Sequence, residues 1–134
     1  MRILIAGASI SGLVLAYWLT RYGFEITVIE CVPALRKTGG HTVDLFRPSM
    51  EISAKIGVLS RIKALTTGTN AATIYRENIH QPVRIDITKA IDAVADQYME
   101  ILYNDFNKAY YAAGRDHVDY LFDNSTAAIS PTTK

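Results

Sequence analysis

The first thirty residues leave this chain few folds to choose from. Arg2-Ile3-Leu4-Ile5-Ala6 reads as a short buried strand, and Gly7-Ala8-Ser9-Ile10-Ser11-Gly12 follows at once as a glycine turn. An apolar helix comes next, then a second strand, Glu25-Ile26-Thr27-Val28-Ile29, which ends on Glu30. Strand, turn, helix and strand make a βαβ unit. Glu30 stands 18 positions after Gly12, close to the spacing of about 20 residues in a dinucleotide-binding fingerprint.

Each position has a physical task in that reading. Gly7 lets the chain turn sharply off the strand, where a Cβ would clash. Position 9 is where backbone approaches a pyrophosphate; Ser9 is larger than the usual glycine, but its hydroxyl can donate to a phosphate oxygen. Gly12 lets the helix lie close to the strand, and the helix N-terminus offers free N–H groups and partial positive charge. Glu30 can accept hydrogen bonds from both ribose hydroxyls, and its charge would repel a 2′-phosphate.

Within the helix, Ile10, Leu13, Val14 and Tyr17 recur at i, i+3, i+4 and i+7, so one stripe is expected to face a sheet. Arg21 in the last turn and Gly23 just beyond mark its end. The run Ile10–Leu19 is apolar enough for a signal-peptide core. It follows a strand and a turn, however, lacks a cleavage-type ending and is too short to span a bilayer. No targeting segment and no transmembrane helix are expected.

A length of 134 residues leaves room for one domain, and 49% hydrophobic residues suit an α/β core. The net charge of +1 suggests neither a nucleic-acid nor a membrane partner. Cys31 is the one cysteine, which excludes an intramolecular disulfide and favours a reducing, cytoplasmic setting. It reads as a structural or incidental thiol.

Downstream, residues 31–47 read as a loop, and Pro48–Leu65 as a helix interrupted at Gly57. Residues 66–70 are turn-like, Ala71–Arg76 suits a strand, and 77–95 fit neither pattern. Asp105–Ala113 reads as a helix with Phe106, Ala109, Tyr110 and Ala113 on one face. Val118–Phe122 reads as a strand, Asp123-Asn124-Ser125 as a turn and Thr126–Ile129 as a further strand. His41, His80 and His117 have no metal-ligand spacing, so no metal site is expected. Tyr103, Tyr110, Tyr111 and Tyr120 read as core packing, and Glu25 and Asp44 show no acid–base partner. No catalytic residue emerges. One βαβ unit followed by weaker elements does not cover both faces of a parallel sheet, as though the chain were the front of a larger fold.

Several segments together carry a family likeness. Gly7-Ala8-Ser9-Ile10-Ser11-Gly12-Leu13, Leu15-Ala16-Tyr17-Trp18-Leu19, Val28-Ile29-Glu30, Pro33-Ala34-Leu35-Arg36 and Gly39-Gly40 with Val43-Asp44-Leu45 resemble the N-terminus of FAD-dependent monooxygenases, the aromatic-hydroxylase-like group A flavoproteins. A second match, through Met99-Glu100-Ile101-Leu102, Asp105-Phe106 and Val118–Ser125, resembles the family's helix-plus-strand segment that closes over the cofactor. The family has an arginine where this chain has Tyr103, which costs a fixed cation near the pyrophosphate.

The resemblance implies a Rossmann-like α/β FAD-binding domain over residues 1–129, incomplete, with a polar tail at 130–134. It implies cofactor-binding roles for Gly7, Ser9, Ile10, Ser11, Gly12, Glu30, Arg36, Gly39 and Gly40: Gly7, Ser9 and Gly12 at the pyrophosphate, Glu30 at the AMP ribose, Arg36 at the cofactor's polar middle, and Gly39-Gly40 where backbone passes the ligand. It implies FAD as cofactor, NAD(P)H as co-substrate and O2-driven hydroxylation of a small organic substrate, with the downstream flavin- and substrate-binding segments absent. The alternative is an inactive nucleotide-binding or interaction fragment that self-associates through an uncovered sheet. An NAD-dependent dehydrogenase fits less well, because the Leu35–Gly40 loop matches the flavoproteins and no Tyr-Lys pair is present.

Overall fold

The computed structural model describes residues 1–35, 40–77 and 81–131. Strand β1 (Arg2–Ala6) leads through a turn into helix α1 (Ile10–Arg21) and back to strand β2 (Glu25–Glu30). The two strands are parallel and paired from Arg2 with Glu25 to Ala6 with Ile29. The Gly7 N–H extends the ladder by donating to the Ile29 carbonyl at 2.7 Å. The expected βαβ unit is therefore present with the expected strand limits.

Residues 31–47 are not all loop: β3 (Thr42–Phe46) is a strand, followed by α2 (Arg47–Ile56) and α3 (Leu59–Lys63). Val43 and Leu45 alternate with exposed neighbours and turn inward, Leu45 fully buried. The glycines just ahead of this short run mask its alternation. The helical reading of 48–65 holds, with Gly57 at φ +86 between the two helices. Strand β4 (Ala71–Ile74) lies where a strand is expected and pairs antiparallel with β5 (Val83–Asp86), which together with α4 (Thr88–Asp92) falls in the stretch 77–95 that had no clear pattern.

Strand β6 (Tyr98–Leu102) pairs antiparallel with β3, from Thr42 with Leu102 to Phe46 with Tyr98. Helix α5 (Tyr103–Gly114) starts immediately after it, and β7 (Asp119–Phe122) then returns to lie parallel beside β2. The main sheet thus has the order β1-β2-β7. Residues 126–129 form no strand; Ile129 is 89% exposed, with no strand beside it to pair with.

Strand alternation sends Ile3, Ile5, Ile26, Val28 and Tyr120 to one face of the sheet. There they meet Leu13, Ala16 and Tyr17 of α1 and Phe106, Ala109 and Tyr110 of α5 in one core. The buried stripe of α1 is Leu13, Ala16 and Tyr17, while Ile10 and Val14 sit half-buried on its flank. Each large side chain buried this way contributes about 2 kcal/mol. The tyrosines divide: Tyr110 is buried, Tyr111 and Tyr120 pack ring to ring at 4.7 Å, and Tyr103 faces a cleft. The opposite sheet face carries Leu4 and Leu121, 58% and 48% exposed, and β1 has no strand along its outer edge among the described residues.

Candidate functional site

The carboxyl ends of β1 and β2 open onto a cleft of about 310 Å³ lined by Ala8, Ser9, Glu30, Cys31, Val32, Leu35, Tyr103, Asn104 and Asn107. Such a cleft beyond the carboxyl ends of parallel strands is where open α/β sheets bind ligands. The N-termini of both long helices, α1 and α5, come to it.

The turn is shaped by its glycines. Gly7 sits at φ +106, a conformation that side chains rarely adopt. Gly12 has no room for a Cβ, which would collide with the Gly7 carbonyl oxygen. Ser9 is the N-cap residue of α1, and its backbone carbonyl accepts the Leu13 N–H at 2.9 Å. Its side chain makes no capping bond, and the first turn, from half-buried Ile10 through exposed Ser11, holds no acid. The first N–H groups of α1 are left open to an anion.

Glu30 faces this turn. Its Oε2 accepts the Ala8 N–H at 2.7 Å, and its Oε1 accepts the Val32 N–H and the Cys31 thiol, each at 3.2 Å. Burial works against the charge, but these donors outweigh it and hold the carboxyl below its usual range. The group is an anion at neutral pH, with acceptor capacity left on both oxygens. The same contact, with the carboxylate's field, pushes the exposed Cys31 thiol up from its ordinary value. That is the opposite of thiol activation and agrees with an unreactive cysteine.

Across the cleft, the Tyr103 N–H donates to the His41 carbonyl at 3.0 Å, and the two rings stack at 5.3 Å. Gly40, at φ +114, passes the buried Asn104 side chain so closely that a Cβ would lie 3.3 Å from it. Arg36 and Gly39 lie outside the described residues. The structure therefore brings Gly7, Ser9, Ile10, Ser11, Gly12 and Glu30 together around one turn and places Gly40 against α5.

Two observations add to the sequence reading. Asp44 accepts the Tyr98 hydroxyl at 2.8 Å on the β3–β6 pair, away from the cleft, a hydrogen bond and not an acid–base pair. Asn104 and Asn107 line the cleft and were not singled out by sequence, although two asparagines three apart at a helix start share one face and are poor helix formers. Among the described residues no group of three His, Cys, Asp or Glu side chains could hold a metal, and no helix is long and apolar enough to cross a membrane.

A family model described as an FAD binding domain matches residues 1–127. The FAD-dependent monooxygenase asL4 of Sarocladium schorii is 32% identical over 133 residues, covering 96% of this chain and 30% of that protein. Among solved structures, tetracycline destructase Tet(55) aligns with a TM-score of 0.79 at 24% identity, over 96% of this chain and 31% of its own. CtdE in complex with FAD aligns with a TM-score of 0.76 at 12% identity, over 98% of this chain and 32% of its own. At these identities the two structures show a shared fold. The chain spans about a third of the length of the curated relatives it matches over nearly its whole extent. A glycine turn with no room for a Cβ, an ionised glutamate facing it and a family match over almost every residue lead to one conclusion: the chain belongs to the FAD binding domain family.

Proposed function

We propose that the chain binds the adenosine diphosphate half of FAD in the cleft between Ser9, Glu30 and Tyr103. The observation that carries this reading is the pairing of an uncapped helix N-terminus with an anionic Glu30 on the same cleft. Gly7, Ser9, Ile10, Ser11 and Gly12 form the phosphate turn, whose open N–H groups meet the pyrophosphate. Glu30 accepts the hydroxyls of the AMP ribose. Gly40 borders the cofactor's middle, where the resemblance also assigns roles to Arg36 and Gly39. Tyr103 contributes a neutral hydroxyl and a stacked ring where a cation would bind more strongly.

In a complete flavoprotein the bound flavin supplies the redox chemistry, and the protein supplies position and exclusion of water. The name of the asL4 relative, an FAD-dependent monooxygenase, supports oxygen-dependent chemistry. We add to this NAD(P)H as co-substrate and a small organic molecule as the substrate hydroxylated, with this chain contributing the cofactor-binding part. A cytoplasmic setting fits the free Cys31. A second reading, an interaction module without turnover, draws on the exposed Leu4 and Leu121 and the open β1 edge, which favour self-association.

Titration of the purified chain with FAD, followed by flavin fluorescence, tests the first reading. Saturable binding that weakens in Glu30→Ala is the expected result. No binding at about 100 μM, above the micromolar range of a working site, would sink it.

A further inference from the structure

The two peptide planes of the glycine turn are held by different elements. The Gly7–Ala8 plane is held through its N–H, which donates to Glu30 Oε2 at 2.7 Å. The Ala8–Ser9 plane is held through its carbonyl, which accepts from Asn107 Nδ2 at 3.1 Å. Asn107 belongs to α5, 99 positions along the chain from Ala8. A trans peptide is planar, so fixing the Ala8 carbonyl also fixes the direction of the Ser9 N–H on its far side. Glu30 cannot do this, because it grips the preceding plane.

Position 107 sacrifices stability for this contact. Asparagine is a poor helix former. Its Oδ1 is buried and has no hydrogen-bond partner among the described residues, which is itself costly. The amide orientation is set by the contact, since the reverse would place Oδ1 against the Ala8 carbonyl. Ala8 is 2% exposed, so water does not substitute for the Asn107 donor.

We propose that Asn107 is a positioning residue for the phosphate turn: it locks the Ala8–Ser9 plane so that the Ser9 N–H is preset for the cofactor's pyrophosphate. This rests on the FAD reading and adds to it a residue outside the fingerprint. Preorganisation of this kind raises affinity by removing an ordering cost.

The test combines FAD titration with hydrogen exchange in the ligand-free chain. Asn107→Leu is expected to raise the FAD dissociation constant about tenfold. It is also expected to speed exchange at the Ala8 amide, whose bond to Glu30 needs the turn held in place, while Val28 in β2 stays protected. Asn107→His keeps a ring N–H where Nδ2 stands and should restore both. Unchanged affinity and unchanged Ala8 exchange in Asn107→Leu overturn the proposal. Should Val28 lose protection as well, Asn107→Asp and Asn107→His decide: only the aspartate, which lacks the donor, is to lose affinity and Ala8 protection, and equal behaviour of the two overturns the idea. If the parent chain binds no FAD, the cofactor reading falls on its own, and exchange at Ala8 still decides the Asn107 lock.

Discussion

Ala8 and Glu30, 22 positions apart, are joined by a 2.7 Å hydrogen bond from the Ala8 N–H to the Glu30 carboxylate. The residue proposed to receive the ribose therefore also braces the turn proposed to receive the phosphates. Its depressed pKa contributes stability that is present above the ordinary carboxylate value of 4.5 and is lost as pH falls through the lower, folded value. FAD affinity is expected to be flat, as far as Glu30 is concerned, from pH 7 to 5, and to decline together with stability below that. Glu30→Gln should bind more weakly at neutral pH, because its amide cannot accept at every position the carboxylate does. Titrations across pH 3.5–7 check this; a glutamine variant with parental affinity refutes the ribose role.

Gly12 lies inside α1, where glycine to alanine ordinarily stabilises a helix by about 1 kcal/mol. Here the added methyl meets the Gly7 carbonyl. Gly12→Ala is expected to reverse the sign and destabilise by about 1–3 kcal/mol. Urea unfolding measures it, and a stabilised variant contradicts the close approach of helix and turn.

Ser53 of α2 and Tyr110 of α5 share a buried 2.8 Å hydroxyl contact. Ser53 donates its one proton to the Ser49 carbonyl at 2.7 Å, so the tyrosine donates to the serine. Ser53→Ala strands the Tyr110 hydroxyl and should cost about 1–3 kcal/mol. Adding Tyr110→Phe should then cost little more, and a double-mutant cycle reads the coupling. Purely additive losses count against the bond.

Tyr98 and Tyr120, with Tyr110 also raised by burial, shape the alkaline limb. The hydrogen bond to Asp44, with burial and the nearby carboxylates, pushes Tyr98 up to about 12; burial, with Tyr111 alongside, does the same for Tyr120. A folded value raised above the ordinary 10 gives stability that is intact below pH 10 and lost between 10 and about 12. Thermal melts over pH 9–12 should show that fall, and Tyr98→Phe should make it shallower. An identical slope in the variant argues against the Asp44 contact.

Leu4 and Leu121 lie on the sheet face away from the helices, about half exposed. Sedimentation of the parent chain is expected to show concentration-dependent association, reduced in Leu4→Lys/Leu121→Glu without loss of helical signal. A monomeric parent at high micromolar concentration excludes the self-associating reading.

The first thirty residues were legible because period and punctuation agree there: a buried strand, a glycine turn, a helical stripe and a strand ending on an acid. The β3 strand was not, since its alternation spans only Val43 and Leu45 beside two glycines, and it gains its partner β6 from far along the chain. Thr126–Ile129 has strand composition but no neighbour, and composition alone does not supply one. In the site, the turn and Glu30 follow from local spacing. Asn104 and Asn107 do not, because their proximity to the turn is a product of how α5 docks on α1, which no spacing rule encodes.

That β7 and not β3 lies beside β2 has a consequence for synthesis. A ribosome that has made the first thirty residues has made the whole fingerprint, yet β2 still lacks the neighbour on its second edge, and Asn107 does not yet exist. Contacts of such long sequence separation form slowly. Until β7 emerges, the second edge of β2 is open to wrong pairing, and a chaperone that shields that edge would raise the yield of folded chain.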